Sequence, residues 1–409
     1  MKAAALSRRG ALAALVGLLG AGSGRSQSAA VPAAASAGAW ALWDEFVSKL
    51  VAGYFEPLND ADITRRAVED LLSDLGASAS LRPNSYGNTP DDRKRTFRQL
   101  ILQLVSVRGT VSATALVERS MELFCENHLK YSHYVPAAVL AELSRIGSAG
   151  TGMAVKARAG RYYCHPFPKS DPERKGIDQG DELISIDGRP LAGMGPFRVK
   201  PKLYGAEGTK VRLAVRKPSG RILECEITRT TVARTPVSRV AGSSGPAFRV
   251  PLFDGAGVAE LRRLLAEVPA DALLTLDLRG NEGGEIQLAA DAAGLFLPGS
   301  RPLDIGYKTR RSGDREPIVT NEPRAWSGRR VTILQNGDTA SSAELFIQSL
   351  RAGGGLRLTI GGGKSYGKTT FQGEEVLGNG GGSLILSEGR LVDVAGNSWD
   401  TGIVPTFGA

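Results

Sequence analysis

A hydroxyl, a carboxylate and a helix start come together in Thr339-Ala340-Ser341-Ser342-Ala343-Glu344, where an apolar strand turns into a helix. The plainest use of these residues is capping: Ser341 and Glu344 have the S-x-x-E spacing in which each side chain satisfies a free helix N–H. Taken alone, the segment favours that use. The same place also suits a nucleophile, because free amides and the positive end of the helix dipole can stabilise an oxyanion there. A serine nucleophile needs a base, usually histidine. All three histidines, His128, His133 and His165, lie before residue 166. Lysine is the available substitute, since burial among apolar groups lowers its pKa toward a neutral amine at working pH. Lys364 and Lys368 both follow the helix, and only Lys368 is tightly framed, in Ser365-Tyr366-Gly367-Lys368-Thr369-Thr370-Phe371-Gln372. A lone lysine is otherwise a solvated surface charge.

Around these residues, strands and helices alternate over residues 233–409, which argues for an α/β core. An apolar strand over 273–278 runs into Arg279-Gly280-Asn281-Glu282-Gly283-Gly284, and another over 331–335 ends at Asn336-Gly337-Asp338. A helix over 340–350 and a short strand over 356–360 follow. Residues 147–232 read as short strands, with Val211, Leu213 and Val215 alternating with mostly polar neighbours. Residues 38–146 read as helices, on the spacing of Trp43, Phe46, Val47, Leu50 and Tyr54, with a loop over 78–95.

Gly180-Asp181-Glu182-Leu183-Ile184-Ser185-Ile186-Asp187-Gly188 resembles the "GDxIxxIDG" turn of PDZ domains. Gly150, Thr151, Gly152 and Met153 match the loop whose amides receive a peptide's terminal carboxylate in that family. A nest of N–H donors beside a strand edge suits strand addition by a chain end. An unrelated small β-domain, with glycines serving only its turns, is the competing reading.

The Thr339–Glu344 run, the frame around Lys368, Gln372 and the 276–284 run together resemble the carboxy-terminal processing (tail-specific) serine peptidases, which carry "SASASE", "TFGKGxxQ" and "LDLRxNxGG" around a PDZ domain. The resemblance spans residues 45–405 and includes Ser387-Glu388-Gly389-Arg390 and Gly402-Ile403-Val404-Pro405. It implies an α/β fold: a crotonase/ClpP-like protease core with an N-terminal helical region and an inserted PDZ-like β-domain. It also implies an endopeptidase that cleaves proteins near their C-termini, acting on free C-terminal tails, with no cofactor or metal; an adaptor protein is left open. The nucleophile falls on Ser341, the general base on Lys368 and the residue orienting the lysine on Gln372. The oxyanion amides fall on Ser342 and on the glycine pair, Gly283 before Gly284. Departures are Ser342 in place of Ala, Thr369 in place of Gly, and a longer approach through Gly361–Gly363. In an ideal strand Lys368 and Gln372 would sit ~13 Å apart, so their contact requires a bend. A silent ligand- or peptide-binding protein on the same scaffold is the alternative.

The chain has 409 residues, 42% of them apolar and 23% charged, which excludes a wholly disordered or collagen-like protein. Its net charge is +9, but Lys2, Arg8, Arg9 and Arg25 precede any acid and leave +5 on the remainder without a basic block, which does not support a nucleic-acid partner. Residues 1–37 read as a signal peptide: a basic start, a short apolar run, then small residues to Ala35-Ser36-Ala37. Ser7-Arg8-Arg9 resembles a twin-arginine signal, and general secretion fits as well. The mature protein is expected to be exported, periplasmic or secreted, with no stable membrane span. Cys125, Cys164 and Cys225 allow at most one bridge, with Cys125–Cys164 a possible pair and Cys225 facing a core. Cys125, His128 and His133 match no common zinc spacing.

Overall fold

The computed structural model describes residues 33–146, 149–158, 160–231, 237–378 and 380–407. The leader read over residues 1–37 thus lies outside the described residues up to residue 32. The chain forms two compact units, residues 1–233 with 373–386 and residues 234–372 with 387–409.

In the first unit the predicted helical part comprises α1 (Ala33–Gly53), α2 (Asp60–Asp74), α3 (Pro90–Arg108), α4 (Ala113–His128), the short strand β1 (His133–Val135) and α5 (Ala137–Ser144). The stretch read as a loop over 78–95 gives way to α3 at Pro90, where Thr89 and Asp92 form a reciprocal capping box. Apolar residues at helical spacing close one core: Trp43 stacks on Phe97 at 3.9 Å between centroids, and Phe46 meets Phe124 edge-on.

The same unit holds a six-stranded β-insert, β2 (Met153–Arg158), β3 (Arg161–Pro166), β4 (Glu182–Ile186), β5 (Arg189–Pro190), β6 (Lys210–Arg216) and β7 (Ile222–Thr228). Its order is β2-β3-β4-β6-β7, with β5 on β4, so β2 is an edge strand. Between β4 and β5, Asp187 and Gly188 both have positive φ, 49° and 75°, as a tight two-residue hairpin demands. Short elements α6 (Asp171–Arg174) and α7 (Lys200–Leu203) complete the insert. Cys164 packs in its core and Cys125 in the helical core; both are free thiols, so the bridge considered for them does not form. Cys225 is also free and only partly buried.

The second unit is built on a sheet of order β14-β13-β10-β9-β8: β8 (Ser238–Arg239), β9 (Ala247–Arg249), β10 (Leu273–Asp277), β13 (Arg330–Gln335) and β14 (Arg357–Gly362). The last four are parallel, with Leu276 opposite both Phe248 and Ile333. Helices α8 (Gly255–Leu265), α9 (Ile286–Gly294) and α10 (Ser342–Ala352) supply Leu261, Leu265, Ala289, Ala293, Phe346 and Leu350 to the shared core. A hairpin of β11 (Leu303–Arg310) and β12 (Arg315–Thr320) pairs through β11 with residues 389–392.

Those residues end β16 (Ser383–Val392), the partner of β15 (Thr370–Val376). The base of this hairpin belongs to the second unit. Its tip, residues 373–386, belongs to the first, because residues 383–385 pair with β1 and Leu384 and Leu386 join the helical core. The tip thus departs from the boundary expected from the sequence, which assigns all of residues 233–409 to the α/β core.

Candidate active site

Parallel strands in an open sheet present their carboxyl ends to one edge, and loops leaving adjacent strands meet there. β10 and β13 are such neighbours. The loop after β10 carries the glycines, and the turn after β13 carries Ser341.

The turn is held from below. Thr339 donates its hydroxyl to the Leu278 carbonyl at 2.9 Å, and Ala340 N–H bonds to the Asn281 carbonyl at 3.0 Å. These bonds fix the turn to the glycine loop and leave Ser341 at φ 59°, ψ −125°. A non-glycine residue there carries strain of order 1–3 kcal/mol. This backbone lifts a serine out of a strand-to-helix turn, as in a nucleophile elbow. Ser342 opens α10, so its N–H has no acceptor within the helix. The capping relation read from the sequence is present through Glu344, whose carboxylate accepts Ser341 N–H at 2.9 Å. The Glu344 N–H goes to the Ser341 carbonyl oxygen, also at 2.9 Å.

Lys368 lies in the loop just before β15, which supplies the bend its contact with Gln372 requires. Lys368 Nζ donates to Gln372 Oε1 at 3.1 Å. The amide of Gln372 is oriented by its other end: Nε2 donates to the Thr370 carbonyl and hydroxyl and to Ser387 Oγ, at 3.1–3.3 Å. Those partners accept, which turns Oε1 toward the lysine. Part of the Lys368 side chain stays accessible, yet the protein around Nζ lowers its pKa from 10.5 to about 8 by desolvation, against the nearby Glu344 carboxylate, which raises it. Lys364 is exposed in the glycine-rich approach.

The glycines come close to the serine for a steric reason. A Cβ on Gly283 would lie 3.0 Å from Ser341 Cβ, and one on Gly284 would lie 2.2 Å from the Phe253 carbonyl oxygen. Their φ values are 115° and 127°, so side chains are excluded at both. Here the expectation for Gly283 needs correction. Its N–H already bonds to Asn281 Oδ1 at 2.9 Å, and the Asn281 amide is fully buried, donating on to the Val250 carbonyl at 2.9 Å. The Gly283 carbonyl accepts Phe253 N–H at 2.9 Å. The C=O and N–H of a trans peptide point in opposite directions, so Gly284 N–H faces away from Phe253. Ser342 Oγ donates to the Gly284 carbonyl at 3.1 Å and ties this loop to the start of α10.

Below the loop, Asp277 is buried and bonded by Arg279 and by Arg249, each at 2.9 Å. Burial pushes its carboxyl up, but the Arg279 and Arg249 guanidiniums hold it below its ordinary value. Asn281, Thr370 and Ser387 are functional partners that residue type and spacing alone do not reveal. Thr370 shares a strand face with Gln372 two residues on, and Asn281 and Ser387 lie in the matched 276–284 and 387–390 runs, where the spacing assigns them no role.

In the first unit the loop matched to carboxylate capture is only partly available. Gly150 N–H bonds to the Thr230 carbonyl at 3.0 Å, and Thr230 N–H returns a bond at 2.9 Å. Gly150 therefore drops out of the predicted donor set, because a strand-like bridge engages its amide. Thr151 is buried with its hydroxyl unbonded, Gly152 has φ 75°, and Met153 packs into the insert's core at the start of edge strand β2. His128, bonded to Asp70 at 2.8 Å, and His133 and His165 all belong to the first unit. Among the described residues no group of three His, Cys, Asp or Glu side chains could hold a metal ion, and no single helix is long and apolar enough to cross a membrane.

Residues 248–408 match the family model described as peptidase family S41. The chain is 30% identical over 229 residues to a carboxyl-terminal-processing protease of Synechocystis sp., covering 54% of this chain and 52% of that one. It is 27% identical to the carboxy-terminal processing protease CtpB of Bacillus subtilis, over 53% and 45% of the two chains. It thus spans about half the length of the curated relatives it matches. The fold is that of a solved photosystem II D1 C-terminal processing protease, with a TM-score of 0.60 over 91% of this chain and 93% of that one at 20% identity. The chain therefore carries, at residues 248–408, a peptidase family S41 domain.

Proposed function

We propose that this chain is an exported serine endopeptidase that cleaves proteins near their C-termini with a Ser341–Lys368 dyad oriented by Gln372. The observation that carries this reading is the 3.1 Å bond from Lys368 Nζ to Gln372 Oε1, made by a lysine whose pKa is lowered to about 8.

In the neutral amine one N–H is donated to Gln372, which leaves the lone pair for the Ser341 hydroxyl. Lys368 takes that proton as Oγ bonds to the scissile carbonyl carbon. The oxyanion is received by Ser342 N–H and, since Gly283 N–H is engaged by Asn281, by Gly284 N–H. The lysine ammonium then protonates the leaving amine as the C–N bond breaks, and an acyl-enzyme remains. Water, deprotonated by the same lysine, releases the new carboxylate and restores Ser341. No cofactor or metal enters these steps.

The β-insert takes the PDZ-like role in this reading. A substrate tail adds to the edge of β2, and its carboxylate meets the amides of residues 151–153. Incubation with a fluorophosphonate probe and with a protein bearing a free C-terminal tail tests the proposal. Wild type is expected to be labelled at Ser341 and to cleave the tail, and Ser341→Ala to do neither. Tail binding without labelling or cleavage would instead support the silent binding protein.

A further inference from the structure

The Glu344 carboxylate is completely buried and accepts four hydrogen bonds from both catalytic segments. Oε2 takes Ser341 N–H at 2.9 Å and Lys368 N–H at 2.9 Å. Oε1 takes Gly367 N–H at 2.7 Å and the Ser365 hydroxyl at 2.6 Å. Ser365 Oγ in turn accepts the N–H of Ile403 at 2.7 Å, so its own proton is the one directed at Glu344. Three N–H groups and one O–H leave no acceptor lobe for a carboxyl proton.

We infer that Glu344 is a positioning residue that holds Ser341 and Lys368 at their working separation as an anion, and that its charge couples electrostatically to the lysine amine. This rests on the proposed serine–lysine chemistry but not on the identity of the substrate. A helix cap needs only the bond to Ser341 N–H. The other three bonds fasten a loop 21 to 24 residues downstream to the same carboxylate. Burial leaves the Glu344 carboxyl above its ordinary value, and the Ser365 hydroxyl and the three N–H groups offset that rise only in part. Glu344 is also the charge that raises the Lys368 pKa against desolvation. The charges on neighbouring segments are otherwise arranged: Asp400 is paired with Arg390 at 2.6 Å and bonded by the Thr369 hydroxyl, and Lys364 is exposed.

Glu344→Gln keeps the shape but replaces one acceptor oxygen with an NH₂ that faces donors. Two effects with opposite signs on the rate should then appear together. Losing the anion lowers the Lys368 pKa, which makes more neutral amine at pH 7. Losing the clasp lowers the plateau rate by on the order of 10²-fold. A residue serving only the fold would lower the amount of active enzyme without moving the pKa.

The test measures the Lys368 pKa directly, by NMR of ¹³C-labelled lysine in the full chain assigned with Lys368→Met, and in parallel the fluorophosphonate labelling rate against pH. Glu344→Gln is expected to shift the lysine titration to lower pH and to lower the labelling plateau. An unchanged titration, or an unchanged plateau, overturns the inference. If the titration moves as expected but wild type itself is never labelled, the coupling stands and the peptidase reading fails. Should Glu344→Gln fold poorly, Ser365→Ala removes one of the four donors and leaves the charge. The expectation there is a lower plateau with the lysine titration nearly in place; full retention of the plateau contradicts the clasp.

Discussion

The serine turn of the α/β unit and the glycine-led loop of the β-insert were both matched to motifs, and they fare differently. Around Ser341 the matched residues are side chains, and Lys368 and Gln372 meet as side chains at 3.1 Å. In the insert the matched groups are backbone amides, and the first of them, Gly150 N–H, is bonded to Thr230. The same contrast recurs inside the α/β unit, where Gly283 N–H is bonded to Asn281. A side chain's chemistry is written in its residue type. An amide's availability depends on what the rest of the chain places opposite it.

The largest effect that could break this comparison lies at the serine. Ser341→Ala is expected to remove peptide cleavage by on the order of 10⁴–10⁶-fold, measured as kcat/KM on a tailed protein. Ser342→Ala is expected to remain active, because its role runs through the backbone and it gives up only the hydroxyl bond to Gly284. The reverse pattern would move the nucleophile by one residue.

Next in size come the amides. Gly284→Ala forces a Cβ to 2.2 Å from the Phe253 carbonyl and misplaces the proposed donor, so activity should fall at least about 10²-fold. Asn281→Ala sharpens the point. It frees Gly283 N–H but loosens the loop, and is expected to lower activity by on the order of 10²-fold. A rise in kcat would return the oxyanion role to Gly283.

The core reading was legible because its strands are apolar and its turns punctuated. Strands read at 273–278, 331–335 and 356–360 appear within two residues of those bounds as β10, β13 and β14. The helix read from residue 340 starts at Ser342 because Ser341 takes a positive φ to lift its side chain. The hairpin tip at 373–386 was illegible as part of the first unit, since its partner β1 lies some 250 residues earlier and no local pattern announces such a pairing. Asn281 sits inside a recognised motif, but its buried bond to Val250 depends on β9, a three-residue strand with no sequence signature of its own. Glu344 was legible as a cap and not as a clasp, because three of its four donors come from a loop that only the folded sheet brings near.

Smaller effects are expected in the β-insert. Gly152→Asp should weaken capture of a free carboxylate, and wild type should cleave an amidated tail poorly; equal cleavage of both tails removes the carboxylate-reading role. Gly150→Ala should leave the ratio of free to amidated cleavage unchanged, since that amide is already bonded. At the small end, Ser341→Gly should be at least as stable as Ser341→Ala in thermal unfolding, because glycine adopts the positive φ without strain.

The central claim is that a desolvated lysine, and not a histidine, serves as the base. Only its neutral form accepts a proton, so activity grows as pH rises through the folded-state pKa of about 8 and shows no inflection near 6.5. The pH profile of kcat/KM for wild type and Lys368→Arg tests this most directly. Wild type should rise through about pH 8, and Lys368→Arg should stay inactive at every pH because guanidinium does not give up its proton. A profile that turns near pH 6.5, or a Lys368→Arg variant that cleaves at close to the wild-type rate, would contradict it.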